Sequence, residues 1–174
     1  MKKGKILTKT VLFLDLRGAS RLVGEDNLEK LAEIVRSLFE KARKELRDAE
    51  FRRYQGDEIM AVYSEAIPAV NDALRLRKEC SKMLFEVGLD AGIGIHRDKG
   101  FFWDTMDKDI KIIRFGDVFN IAKRLEGASY GGDITISETV FHELDPEVRK
   151  HFAAKQSMKI KNWGKSLRTY VSVR

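Results

Sequence analysis

Apolar runs that break at an aspartate constrain this chain more than any other feature. Val11-Leu12-Phe13-Leu14-Asp15-Leu16-Arg17-Gly18 is one such segment, and about forty residues later Arg53-Tyr54-Gln55-Gly56-Asp57-Glu58-Ile59-Met60-Ala61-Val62-Tyr63 places Asp57 at the edge of a second. A carboxylate adjoining a buried strand is costly unless a cation balances it. The fold must therefore bring each strand end to a place where a cation can reach it. Two such carboxylates brought together make a divalent-cation site, and the pair points to metal-assisted chemistry on a phosphate ester.

The 174 residues, 43% apolar and 34% charged, suit one domain spanning 1–174 with a sizeable core. No apolar run approaches the ~20 residues of a membrane helix. Met1-Lys2-Lys3-Gly4-Lys5 leads into a strand rather than a signal-peptide core, so the expected address is cytoplasmic, with no membrane partner. Cys80 is the single cysteine and the three histidines are scattered, which excludes an internal disulfide and a zinc site of usual spacing; Cys80 reads as a small packing residue. The net charge of +6 is spread along the chain among acids, with no aromatic-basic motif. That pattern excludes nucleic acid as the expected partner and leaves a polyanionic small molecule.

Residues 10–16 read as a buried strand, and Leu28, Leu31, Ala32, Val35, Leu38, Phe39, Ala42 and Leu46 then recur at helical spacing, predicting a helix from about Glu25 to Arg47. Residues 49–54 and 58–63 flank Gly56-Asp57 as a hairpin. A second amphipathic helix follows through Ala66, Ala69, Val70, Ala73 and Leu74, and Leu89–His96 reads as a central strand. Residues 100–114 predict an irregular or hairpin excursion returning through Ile110–Ile113. Gly116-Asp117 starts a helix on which Asn120 and Arg124, four apart, share one side. Asp133–Ile136 is a further strand, Ser137 an N-cap, and strands near 156–161 and 167–173 close the chain around Trp163-Gly164. Strands alternating with helices predict an α/β arrangement, a sheet with helices packed on one face.

Four segments in order resemble the catalytic domain of class III adenylate and guanylate cyclases: Phe13-Leu14-Asp15-Leu16-Arg17-Gly18-Ala19-Ser20, Gly56-Asp57-Glu58-Ile59-Met60-Ala61-Val62-Tyr63, Gly92-Ile93-Gly94-Ile95-His96, and Gly116-Asp117-Val118-Phe119-Asn120-Ile121-Ala122-Lys123-Arg124-Leu125-Glu126. The strand Gly132-Asp133-Ile134-Thr135-Ile136-Ser137 follows them as it does in that family. The resemblance covers residue 10 to the end. It implies an α+β, ferredoxin-like palm with a βαββαβ core, and a homodimer whose active sites are shared between chains. The activity it implies is conversion of ATP, or less readily GTP, to a 3′,5′-cyclic nucleotide and pyrophosphate.

By the same resemblance, Asp15 and Asp57 hold two Mg²⁺ or Mn²⁺ ions, with Leu16 beside Asp15 counted among the metal positions. The loop Arg17, Gly18, Ala19 and Ser20 wraps the triphosphate, Gly18 permitting close backbone approach. From the opposite chain, Asn120 orients the ribose and Arg124 stabilises charge on the α-phosphate. Lys161 matches the lysine that contacts the terminal phosphates, with Lys165 second. Arg53 and Ile113 fall at the purine-selecting positions, where the family carries a lysine and an Asp or Thr, and Ala19 replaces an aromatic. A regulatory protein acting in trans is an implied partner. His96 is read as a core histidine outside the site. Two other readings stay open: a catalytically silent cyclase-like module that binds a nucleotide or partner, and a diguanylate cyclase-like enzyme, since Arg53–Ile59 is similar to the Gly-Gly-Asp-Glu-Phe hairpin of that related fold.

Overall fold

A computed structural model of the chain describes residues 4–22, 25–104, 112–159 and 166–173. The elements run β1 (Lys5–Arg17), a 3₁₀ turn (Ala19–Leu22), α1 (Glu25–Glu45), β2 (Phe51–Gln55), β3 (Glu58–Tyr63), α2 (Ala66–Glu86), β4 (Asp90–Asp104), β5 (Ile112–Phe115), α3 (Asp117–Gly127), β6 (Ile134–Ser137), α4 (Glu138–Glu143), α5 (Pro146–Arg149), β7 (Phe152–Lys159) and β8 (Ser166–Ser172). Among the described residues eight strands make one sheet in the order β2-β3-β1-β4-β6-β8-β7, with β5 paired to β4 off that path. The stretch from β1 to β4 is the expected βαββαβ unit.

β1 runs antiparallel between β3 and β4, so that Leu14 pairs with Ile59 on one side and Ile93 on the other. Because both faces of this strand are covered, Val11 to Leu14 are all buried and the sequence is a continuous apolar run rather than an alternating one. Asp15 is the first residue beyond the β1–β3 pairs and lies opposite Gly92 of β4. The Gly56-Asp57 turn lies between Gln55 and Glu58, the last pair of the β2–β3 hairpin. Two adjacent strands thus deliver both aspartates to the same end of the sheet.

Successive strand side chains alternate between faces. Leu12, Leu14 and Leu16 pack with Ile59, Ala61, Tyr63, Ile93 and Ile95 beneath Ile34, Leu38 and Ala42 of α1 and Ala66, Ala69, Val70, Ala73 and Leu76 of α2. Val11, Phe13, Met60 and Val62 point the other way, onto Val118 and Ala122 of α3. The expectation of helices on one face holds for α1 and α2, whereas α3 lies on the opposite face. The reason is in β4: a Cβ on Gly94 would stand 2.0 Å from the Glu126 amide nitrogen and 2.3 Å from the Ala122 carbonyl oxygen. Only glycine lets a helix backbone lie that close on a strand.

The two central strands run further than their apolar segments suggest. Lys5 to Lys9 of β1 pair with Asp98 to Phe102 of β4, extending the sheet beyond its buried centre, with the β1 side of this stretch largely exposed. β7 likewise starts at Phe152, ahead of the expected 156, as a mostly exposed edge strand. The excursion after residue 100 is a hairpin in which Trp103 pairs with Ile113. Ser137 caps α4, accepting a hydrogen bond from the Val140 amide at 3.5 Å. Cys80 is buried in α2, where burial pushes its thiol up to about 12, as befits a packing residue.

Candidate active site

Asp57 follows Gly56, whose φ of 59° is the left-handed conformation that glycine adopts without steric cost. The turn leaves the Asp57 carboxyl partly buried and beside Asp15. Desolvation first, and then the negative charge of Asp15, hold Asp57 above the usual carboxylate range. Asp15 Oδ1 is itself buried and accepts no hydrogen bond among the described residues. A pair of neighbouring carboxylates, one with an orphaned buried oxygen and one with its proton affinity raised, is an arrangement that a divalent cation would relieve. Among the described residues no three His, Cys, Asp or Glu side chains are grouped to hold a metal alone. Other ligands must complete such a site, and Leu16 has only its backbone to offer, since its side chain is in the core.

The cation the structure does place here is Lys123. Its ammonium lies 3.0 Å from Asp15 Oδ2, 3.0 Å from Glu58 Oε2 and 2.9 Å from Glu126 Oε2, and 5.8 Å from the centre of the Phe13 ring. Partial burial disfavours the charge, but the hydrogen bonds to Glu126, Asp15 and Glu58 outweigh it and hold Lys123 above the ordinary lysine range. Glu126, 1% exposed, is paired on its other oxygen with Arg17. Arg17 also donates to the Glu126 carbonyl at 2.7 Å and the Ser129 carbonyl at 3.4 Å, fastening the end of β1 to the end of α3. Its guanidinium is thus engaged with α3, and Arg17 lines a cavity together with Gly18 and Arg21 of the loop that follows.

That loop starts at Gly18, with φ of 85°, and tightens into the 3₁₀ turn, where the Arg21 amide donates to the Gly18 carbonyl at 3.0 Å. Ser20 is exposed, and Ala19 packs on the apolar core. On α3, Asn120 and Arg124 are exposed, while Lys123 faces Asp15 and Glu58, and Glu126 faces Lys123 and Arg17, within the same chain. Arg53 is half-exposed and donates to Glu58 Oε1 at 2.8 Å. Ile113 lies in β5, and Lys161 and Lys165 fall outside the described residues. His96 is buried with Nδ1 2.8 Å from Ser137 Oγ, away from the aspartates, and burial lowers its pKa to about 4. A cavity of about 910 Å³ lies elsewhere, along the C-terminal half of α2 near Cys80, Leu84 and His151.

The structure thus brings Asp15, Asp57 and the Gly18 loop together at one end of the sheet and sets Asn120 and Arg124 apart on an exposed helix face. Lys123, Glu58 and Glu126 were not legible as site residues. Lys123 beside Arg124 reads as one more solvated helix charge, and the only signal was its spacing of three from Glu126.

The chain belongs to the adenylate and guanylate cyclase catalytic domain family, whose model matches residues 1–173. It is a class III cyclase domain of mixed α+β fold. Among solved structures, the adenylyl cyclase CyaB from P. aeruginosa superposes with a TM-score of 0.83 at 20% identity, covering 99% of this chain and 97% of that one. The guanylate cyclase domain of RhGC from Catenaria anguillulae, solved with GTP, gives 0.81 at 19% identity over 99% and 98%. An adenylate/guanylate cyclase/hydrolase from Silicibacter pomeroyi gives 0.76 at 24% identity over 98% of each chain. No curated protein sequence matches the chain. Among the described residues no helix is long and apolar enough to cross a membrane.

Proposed function

We propose that this chain is an active nucleotidyl cyclase that closes ATP, or GTP as the lesser substrate, to a 3′,5′-cyclic nucleotide and pyrophosphate at sites shared by two copies. The observation that carries this reading is the division of labour on α3. One side of the helix, Lys123 and Glu126, engages the aspartate-bearing strand ends of its own chain, and the other, Asn120 and Arg124, is left exposed for a partner.

Asp15 and Asp57 would hold Mg²⁺ or Mn²⁺, with the Leu16 backbone as a further ligand. When bound, the metal supplies activation of the ribose 3′-hydroxyl and neutralisation of the leaving pyrophosphate. The residues supply position and charge, which is most of what phosphoryl transfer asks of a protein. Backbone amides from Gly18 to Ser20 would bind the triphosphate, and Lys161, outside the described residues, would contact its terminal phosphates. Asn120 from the partner orients the ribose. Arg124 from the partner donates to the α-phosphate oxygens as their charge develops, acting like any oxyanion donor. Arg53 and Ile113 stand where the purine is selected. The salt bridge between Arg53 and Glu58 holds that guanidinium at the hairpin, and Glu58 in turn reaches Lys123. Base position and metal position are therefore linked through one carboxylate.

Shared sites have a specific test. Asp57→Ala and Arg124→Ala homodimers should each fall about a hundredfold or more in turnover, by loss of metal and of an oxyanion donor respectively. Mixing the two should restore activity, because one of the two sites in the mixed dimer keeps Asp57 from one chain and Arg124 from the other. Failure of the mixture to recover while both variants remain folded and dimeric would refute the shared site.

A further inference from the structure

Lys123 has no place in the reaction as described, yet it is the most heavily bonded cation at the carboxylate cluster. Three carboxylates from three elements converge on it: Asp15 of β1, Glu58 of β3 and Glu126 of α3, all within 3.0 Å. The ring of Phe13 backs it at 5.8 Å. α3 cannot carry it away, because the helix backbone rests on Gly94 with no room for even a methyl group. The helix is thus fixed in place, and the ammonium, on a side chain 40% exposed, is bonded to all three carboxylates at once.

The pairing of the other groups shows what remains for a metal. Glu126 is matched by Arg17 as well as Lys123, and Glu58 by Arg53 as well as Lys123. Asp15 gives Oδ2 to the lysine, which leaves Oδ1, buried and without a hydrogen bond among the described residues, and the neighbouring Asp57. One oxygen of Asp15 with the carboxylate of Asp57 makes a cradle for one ion. A second ion bridging the same two aspartates would need Asp15 Oδ2, 3.0 Å from an ammonium. An ion bound to that oxygen would share it with the ammonium, and the two like charges would repel.

We infer that Lys123 is a built-in cation of this site, taking one of two cation places, so that each site binds a single divalent ion beside a lysine rather than two ions. The inference rests on the reading of Asp15 and Asp57 as metal ligands and deepens it by assigning the number of ions and the group that sets it. Lys123 acts here through the carboxylates, as a positioning residue.

The test is Mn²⁺ stoichiometry, read by electron paramagnetic resonance on the full chain with saturating 3′-deoxy-ATP and, in parallel, 3′-deoxy-GTP, neither of which can cyclise. The wild type should bind one Mn²⁺ per site with the spectrum of an isolated ion. Lys123→Met and Lys123→Ala should bind two, with the broadening of a spin-coupled pair. Lys123→Arg, which keeps the charge, should stay at one. Two coupled ions in the wild type would overturn the inference while leaving the metal site itself standing. One ion in both neutral variants would overturn it too, because the lysine would then not be what excludes the second. No Mn²⁺ bound by the wild type would overturn the assignment of Asp15 and Asp57 together with the inference.

Discussion

The sheet face under α1 and α2 carries the large apolar core, whereas the face under α3 has smaller apolar clusters and is rich in paired charge. On the first, Leu12, Leu14, Ile59, Tyr63, Ile93 and Ile95 merge with two 21-residue helices into one core. On the second, Val11, Phe13, Met60, Val62, Val118 and Ala122 form a small patch, Ile121 and Leu125 a smaller one with Met158 and Leu167, and beside them lie the ion pairs of Arg17, Lys123 and Glu126. Burial of apolar area dominates folding free energy, so the first face holds the molecule together. Ion pairs at the second yield little net stability but fix where charges sit. The same strand, β1, serves both, because its residues alternate between the two faces.

Substitutions on either face can break this contrast. The largest effect is expected for Gly94→Ala: the added Cβ meets the backbone of Glu126 and Ala122, so α3 must shift. Overpacking of that kind costs on the order of 3 kcal/mol, and the displacement of Asn120, Lys123 and Arg124 should cut turnover by about a hundredfold. Urea unfolding and cyclase assay on one preparation check both. Leu38→Ala on the other face, at a fully buried position, should cost about 3 kcal/mol in the unfolding assay and leave turnover of the folded fraction near wild type. Equal loss of turnover in the two variants would show that the faces are not separable.

A smaller effect concerns His96, which lies in β4 away from either aspartate. Its pKa falls from 6.5 to about 4 because burial disfavours the imidazolium. Between those values the unfolded chain takes up a proton that the folded chain refuses, so folding stability declines as pH falls through that window, by at most about 1.4 kcal/mol per pH unit from this group. Asp72 opposes it: burial raises its carboxyl to about 6, so its own contribution favours folding as pH falls from 6 toward 3.8. His96→Asn removes the first contribution alone. The stability difference between wild type and variant should therefore move against the wild type from pH 6.5 to 4; a constant difference would contradict the assignment.

The contrast between the faces also marks what the sequence discloses. The α1 and α2 helices and the core of β1 were legible because their apolar spacing states a period and a face, and the Gly56-Asp57 hairpin because glycine marks the turn. The outer halves of β1 and β4 were not, since Lys5 to Lys9 and Asp98 to Phe102 pair with strand segments distant in sequence, and their mixture of charged and apolar residues carries no clear period. The close seat of α3 depends on Gly94 of β4, which reads as a strand residue and not as a helix seat. Asp15 and Asp57 stood out as carboxylates at the edges of apolar strands, and Asn120 and Arg124 through motif resemblance. Lys123 did not, because what distinguishes it is the convergence of Asp15, Glu58 and Glu126 from distant parts of the chain.

The most direct test of the account is release of cyclic nucleotide and pyrophosphate by the purified chain, given ATP or GTP with Mn²⁺, beside Asp57→Ala. Product from the wild type and at least a hundredfold less from the variant is the predicted result, as loss of a metal ligand at Asp57 would give. No product from a folded, metal-supplied dimer, or equal product from both proteins, would contradict it.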